Sequence, residues 1–172
     1  MSDDLRIRRI GPDDAAAMRA MIVGIQRDEF GFDITLDDQQ DLFEADLFDE
    51  RGFYRAGGGA FWVAVDRGAV VGSIALRDCG HGTGALRKMF VAADHRGPRP
   101  DGAPVAARLL DALLSHAREA GFRRIVLGTT ERFAAAHRFY EKQGFVPIEE
   151  RALPPGFPRM SVDTRFYEMP LD

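Results

Sequence analysis

Gly84 to Leu114 reads GALRKMFVAADHRGPRPDGAPVAARLLDALL, a stretch whose residue types suit an anionic ligand. Met89-Phe90-Val91 closes an apolar run of strand character. A loop rich in Gly, Pro and Arg follows, and it carries Arg96, Gly97, Arg99 and Gly102. Val105, Leu109, Ala112 and Leu113 then recur at helical spacing. Strand, glycine-bearing loop and helix, in that order, present backbone N–H groups at a helix N-terminus to a phosphate. Arginine side chains beside them add charge-assisted hydrogen bonds to the same oxygens.

Proton-transfer residues are less clearly marked. Asp28 and Glu29 follow a first helix, Asp78 and His81 sit in a Gly-rich connection, and His137 lies one helical turn before Tyr140. None is singled out as a general base, and water-relayed deprotonation is equally allowed. No Ser or Cys nucleophile has a partnered His, which favours direct transfer over a covalent intermediate. No His, Cys or carboxylate cluster has ligand spacing, so no metal is expected.

The most specific string is Thr129–Phe145, TTERFAAAHRFYEKQGF. Its end, Ala136 to Phe145, closely resembles the A-x-x-F-Y-E-K-x-G-F signature of the GNAT acyltransferases, which use acetyl-CoA. The likeness in element order runs from Leu5 to Met169; it is specific in the C-terminal half and positional in the N-terminal half. The LGTT-x-RF-x-AAHRFYEK-x-GF string and the PRM-x-VDTRFY string also look like the acetyltransferase half of bacterial MarR–GNAT fusion proteins. The resemblance implies that the backbone of Met89, Phe90 and Val91 bonds the pantetheine arm. It implies that Tyr140 lies near the CoA sulfur. A phenol of pKa near ~10 is a suitable acid for a thiolate of pKa near ~8.5. The acceptor site would be built after the first helix, around Glu29 and Phe30. An Asn common in the family is replaced by Phe133, so that cofactor contact is absent or supplied otherwise, by Thr130 for example.

The loop departs from the family pattern Arg/Gln-x-x-Gly-x-Gly/Ala. Arg96-Gly97 sits at the expected distance after the strand, and Val105-Ala106 at the expected distance before Leu109-Leu110, but the loop between them is about five residues too long. Asp101 stands where a basic residue is usual and Pro104 where a Gly is usual. Proline has no N–H to give a phosphate, although it suits the first turn of a helix. Arg96 and Arg99 would compensate by direct contact.

The elements that must position these residues read β-α-α-β-β-β-α-β-α-β-β. Leu5 to Ile10 is a strand, broken by Gly11-Pro12-Asp13-Asp14, which starts a helix with Ala17, Met18, Met21, Ile22 and Ile25 inward. Asp28–Thr35 reads as a loop, and Asp37 to Phe48 as a second helix with Leu42, Phe43 and Leu47 inward. Phe61–Val65 and Val70–Leu76 form a hairpin through Asp66-Arg67-Gly68. Gly121 stops the helix begun at Val105, and Arg124–Gly128 is a buried strand. Thr129 or Thr130 is placed to cap the next helix, with Glu131 in its first turn, and Gly144 ends it. Phe145–Ile148 and Met160–Met169 are strands, the latter with Val162, Thr164 and Phe166 alternating. The expected class is α/β (α+β): one domain over 1–172, a mixed, mostly antiparallel sheet of about seven strands, and helices on both faces. The last strand, if exposed, would offer an edge for a homodimer.

Composition sets wider bounds. The 172 residues carry a net charge of −4, unevenly spread. Residues 1–50 hold 14 acidic and 5 basic side chains, a net of −9, leaving 13 acidic and 18 basic, a net of +5, for residues 51–172. This is either a solvated acidic helix surface or a basic half for an anionic cofactor with an acidic half near a cationic acceptor. The basic residues form no stripe, so nucleic acid is not an expected partner. Cys79 is the single cysteine, and Met1–Ile10 lacks the apolar run of a signal peptide; a cytoplasmic setting without membrane attachment is expected. The expected function is an acyl-CoA-dependent N-acyltransferase, using acetyl-CoA on a small-molecule or a protein or peptide amine. The alternative is a GNAT-fold protein that senses acyl-CoA or a metabolite without turnover. A third reading is the same fold without any CoA binding.

Overall fold

A computed structural model describes residues 4–131 and 133–171. Seven strands form one sheet: β1 Leu5–Arg9, β2 Ala60–Asp66, β3 Ala69–Asp78, β4 Thr83–Val91, β5 Arg124–Thr129, β6 Val146–Ile148 and β7 Arg165–Pro170. Their spatial order is β1-β2-β3-β4-β5-β7-β6. The β2–β3 hairpin turns through Arg67 and Gly68, at φ 51° and 82°, the positive pair that matches strand twist in a two-residue turn. β4 and β5 run parallel, and all other neighbours are antiparallel. The mixed, mostly antiparallel sheet expected from the sequence is present.

Helices cover both faces. α3 (Val105–Glu119) and α4 (Ala134–Gln143) pack on one face through Leu109, Leu113 and Tyr140, against Ile74, Leu76 and Leu127. α1 (Ala15–Gly24) and the short α2 (Glu44–Phe48) pack on the other, with Met18, Ile22, Leu47 and Tyr54 against Val63 and Ala75. Gly144 ends α4 in the left-handed region, φ 107°, where a side chain would be strained.

The parallel pair positions the site. β4 and β5 are paired over three residues, from Thr83↔Arg124 to Ala85↔Val126. Beyond these, β4 continues beside β3 and β5 beside β7, so the sheet opens into a V. A bulge bends β4 at this point. Arg87 faces Ala75 and Phe90 faces Ser73, so two residues on β4 oppose one on β3. Lys88, in the bulge, has φ 54°, and its carbonyl accepts the Ser73 hydroxyl at 2.6 Å.

Several sequence expectations need correction. α1 continues as a wider π-type turn over Ile25–Glu29, so Asp28 and Glu29 end a helix and do not begin a loop. Ala15 is buried in α1 and Ala17 is exposed. The second helix breaks into 3-10 turns at Leu36–Asp38 and Gln40–Leu42 before α2, the first of them opened by the Asp38 carboxylate accepting from Thr35 N and Oγ at 2.9 and 3.0 Å. Phe133, not a threonine, precedes α4; Thr129 stays in β5 and the Thr130 carbonyl accepts the Phe133 N–H. Pro104 precedes α3 as its cap residue. β7 begins at Arg165, since Met160–Asp163 closes on itself as a turn and leaves Val162 41% exposed. β7 also lies between β5 and β6, so its edges are already paired and it offers no free edge for a homodimer. No helix among the described residues is long and apolar enough to cross a membrane.

Candidate functional site

The V between β4 and β5 leads into a cleft of about 790 Å³. Leu86 to Val91 form one wall, and Gly128–Thr130 with the start of α4 form the opposite wall. The end of α1 and the loop before β7 complete it. Of the residues singled out from the sequence, Met89, Phe90, Val91, Arg96, Ala106, Thr130, Phe133, Tyr140 and Phe30 line this cleft. Glu29, Gly97, Arg99, Gly102 and Val105 do not. The Val105 side chain is fully buried in the core, and Arg99 borders a separate depression of about 270 Å³ with Asp66 and Asp94.

The loop between β4 and α3 is held by its own charges. Arg99 grips Asp101 at 2.9 and 3.1 Å, and Arg108 reaches the Ala103 and Asp101 carbonyls at 3.0 and 3.3 Å. The two arginines thus neutralise Asp101. Gly102 has φ 144°, where a side chain would be strained, and a Cβ there would displace the Arg108 guanidinium, 2.4 Å away. His95 ties the start of the loop to Asp66 and Asp94, each at 2.9 Å. Arg96 donates to the Val91 carbonyl at 2.8 Å and pairs with Glu29. Glu29 therefore meets the loop across the cleft mouth. The first helical bond of α3 is Arg108 N–H to Pro104 O, so the amides of its first turn lie ahead of the helical ladder.

Tyr140 is 6% exposed, ringed by Phe139, Phe145 and Tyr167. Burial pushes its phenol well above the ordinary value. Phe133 makes edge contacts with Phe30 at 4.5 Å and Phe32 at 5.7 Å between ring centres, so aromatic packing bridges the two sides of the cleft.

A polar network underlies the β4 bulge. Lys88 Nζ donates to Gln39 Oε1 at 3.1 Å and stands 3.6 Å from Asp41. Arg87 reaches Tyr54 Oη, Asp41 and the Pro158 carbonyl. Gln26 and Gln39 exchange amide hydrogen bonds at 3.0 and 2.9 Å. Burial alone would raise the Asp41 carboxyl, but Lys88, Tyr54 and Arg87 outweigh it and hold it low. Burial, reinforced by Arg87, lowers Lys88 in spite of Asp41.

The base candidates named from the sequence stand elsewhere or are engaged. Asp78 accepts the Gly58 and Gly80 amides, and His81 is exposed in the turn after β3. His137 is buried with Nε2–H on the Thr130 carbonyl at 2.8 Å and Nδ1 facing Arg165 at 3.3 Å. Sequence reasoning missed Arg87, Lys88 and Asp163 as cleft residues. The VDTRFY string contained Asp163, but its alternation read as strand.

Residues 21–145 match the model of the Acetyltransferase (GNAT) family. N-acetylaspartate synthetase of Xenopus tropicalis is 33% identical over 140 residues, 79% of this chain and 50% of that protein. The chain thus spans about half the length of the curated relatives it matches. The crystal structure of an acetyltransferase of the GNAT family from Staphylococcus aureus Mu50 superposes with TM-score 0.87 at 32% identity, covering 98% of this chain and 99% of that one. PaiA N-acetyltransferase from Thermoplasma acidophilum, solved with coenzyme A, shares the fold at TM-score 0.74 and 14% identity, covering 99% and 100% of the two chains. The strand order, the opening between β4 and β5 and the sequence matches agree: the chain belongs to the GNAT acetyltransferase family.

Proposed function

We propose that this chain is an acyl-CoA-dependent N-acyltransferase that passes acetyl from acetyl-CoA to a primary amine by direct attack in a ternary complex. The observation that carries the reading is the V between β4 and β5, whose β4 side beyond Ala85 borders the cleft from Leu86 to Val91. An extended pantetheine arm fits along that side, with its thioester carbonyl polarised by a β4 backbone N–H near Phe90 and Val91. The pyrophosphate goes to the first turn of α3, at Ala106, and to Arg96, with Gly97, Arg99, Gly102 and Val105 shaping the loop. Thr130 and Phe133 flank the arm from the opposite wall.

Tyr140 acts on the leaving sulfur. Even an unperturbed phenol is about 1.5 pK units weaker an acid than a thiol, roughly 2 kcal/mol uphill for full transfer. Burial adds to that gap. Tyr140 therefore stabilises the thiolate chiefly by donating a hydrogen bond.

The acceptor end lies between the α1 end, with Glu29 and Phe30, and the loop before β7. Arg87 and Lys88 line this end, with Asp41 behind them and Asp163 beside them. Their cationic groups suit a small amine that also carries a carboxylate. The name of the Xenopus relative supports an amino acid. A protein or peptide amine is the competing acceptor. The strings at Leu127–Phe145 and Pro158–Tyr167 support kinship with the acetyltransferase half of MarR–GNAT fusions. A single domain, a cytoplasmic setting and a bacterial source belong to the same reading.

Thermal unfolding with acetyl-CoA, followed by free-thiol detection with a panel of amines, tests the proposal. A ligand at ~100 times its dissociation constant adds about 2.7 kcal/mol to stability. Stabilisation together with amine-dependent thiol release is expected. The engagement of Arg96 by Glu29 and of Arg99 by Asp101 favours a second reading, a sensor without turnover. Stabilisation without thiol release for any amine would select it. No stabilisation would remove CoA altogether.

A further inference from the structure

We infer that Asp163 is the general base of the transfer, and that Gly128 is the residue that lets its carboxylate lie beside the opening of the sheet. The inference rests on the enzymatic reading above.

Asp163 lines the cleft and is 6% exposed. Its place is fixed from three directions. Its N–H donates to the Met160 carbonyl at 3.0 Å, its carbonyl accepts Arg159 Nη2 at 3.0 Å, and its Oδ2 accepts the Met160 N–H at 2.9 Å. The next residue, Thr164, donates its N–H to the carbonyl of Thr129 at 2.8 Å, which anchors the turn to the end of β5. The carboxylate lies against β5 itself. A Cβ on Gly128 would stand 2.6 Å from Oδ2 and 2.9 Å from Cγ, so any side chain at 128 would expel it. Gly128 borders the cleft where β5 has already left β4.

This carboxylate has no ion-pair partner within 4 Å among the described residues, unlike Asp41, Asp101 and Glu29. The charged groups that act on it through space are Arg87 and Lys88 on β4 and Arg159 on its own loop. Two of them are already engaged with Asp41. Burial outweighs all three and raises the carboxyl, which brings a carboxylate closer to the range useful for a base at neutral pH. Of the other acids lining the cleft, Asp38 holds Thr35 and Asp33 is exposed at the mouth.

The chemistry balances. An acceptor ammonium gives one proton to Asp163 and becomes a neutral amine. Its nitrogen forms a bond to the thioester carbon, and the C–S bond breaks with the electron pair on sulfur. The second nitrogen proton ends on sulfur, giving the free thiol, and Asp163 releases its proton to solvent.

The test uses the amine that gives most thiol release with wild type among L-aspartate, L-glutamate, L-lysine and spermidine. Asp163→Asn keeps an oxygen for the Met160 N–H. Its expected kcat is about 100-fold or more below wild type, with stabilisation by acetyl-CoA unchanged. The acidic limb of the wild-type pH profile of kcat/KM should lose its inflection in this variant. Gly128→Ala, which leaves Asp163 in the sequence, should lower kcat in the same direction. An Asp163→Asn enzyme with wild-type rate and pH profile overturns the inference while wild-type turnover leaves the enzymatic reading standing. If Asp163→Asn does not fold, Gly128→Ala decides, and a wild-type rate there overturns it. Wild type without thiol release for any of the four amines removes both.

Discussion

Glu29, at the end of α1, and Arg96, in the loop after β4, face each other across the cleft mouth and share two hydrogen bonds of 2.6 and 3.0 Å. The Glu29 carboxylate engages the guanidinium proposed for the cofactor's pyrophosphate, so the two anions compete. The pair is partly exposed, at 41% and 33%, and such pairs are worth about 0.2–1 kcal/mol. Glu29→Gln should therefore tighten acetyl-CoA binding by about 2–5-fold, and Arg96→Gln should weaken it. Titration calorimetry at low and high salt checks both; equal affinity in Glu29→Gln would show that pyrophosphate does not use Arg96.

Tyr140→Phe should lower kcat about 100-fold through loss of the donor to the leaving sulfur, with acetyl-CoA affinity retained. The ring contacts with Phe145 and Tyr167 survive the change, so melting should shift little. Thiol release at saturating substrates is the measurement. A variant as fast as wild type would remove Tyr140 from the mechanism.

Asp41 holds Arg87 and Lys88 together under the bulge. Its folded-state pKa is below the ordinary value, so its contribution to stability is present above about pH 4 and is lost as pH falls through the folded value. Asp41→Asn should cost about 3 kcal/mol at pH 7, because it strands two buried cations. The cost should shrink on acidification. Urea unfolding at pH 7 and at pH 3 measures both, and an equal cost at the two values would contradict the assignment.

Phe133 packs on Phe30 and Phe32 and so ties the α1 end to the start of α4. Phe133→Ala should release that tie. Amide hydrogen exchange over residues 25–34 should quicken, and KM for the acceptor should rise more than KM for acetyl-CoA. Unchanged exchange over 25–34 would mean that the Glu29–Arg96 pair and the Gln26–Gln39 amides suffice to hold the segment.

Much of the scaffold was legible because its causes are local. Arg67-Gly68 turns the hairpin, Gly121 and Gly144 stop helices, and the apolar spacing from Val105 to Leu113 makes α3. The cleft-lining Phe90, Val91 and Tyr140 followed from family likeness, not from periodicity. What stayed hidden has distant causes. Lys88 adopts φ 54° beside the hydroxyl of Ser73, with Gln39 and Asp41 at its amine, and no short window contains all four. Asp163 was concealed differently. Val162, Thr164 and Phe166 keep period two through a turn that the Asp163 side chain itself closes, so the pattern ran past the start of the strand. The first 3-10 turn after α1 was concealed in the same way, by an Asp38 carboxylate that accepts the backbone N–H of Thr35.

The sheet order has a consequence for folding. β7 is inserted between β5 and β6, both of which precede it in the chain. A folding chain thus leaves the outer edge of β5 and the inner edge of β6 open until Arg165–Pro170 pairs with both. Until then the unfilled gap is a template for any extended segment, so mispairing during folding is expected there.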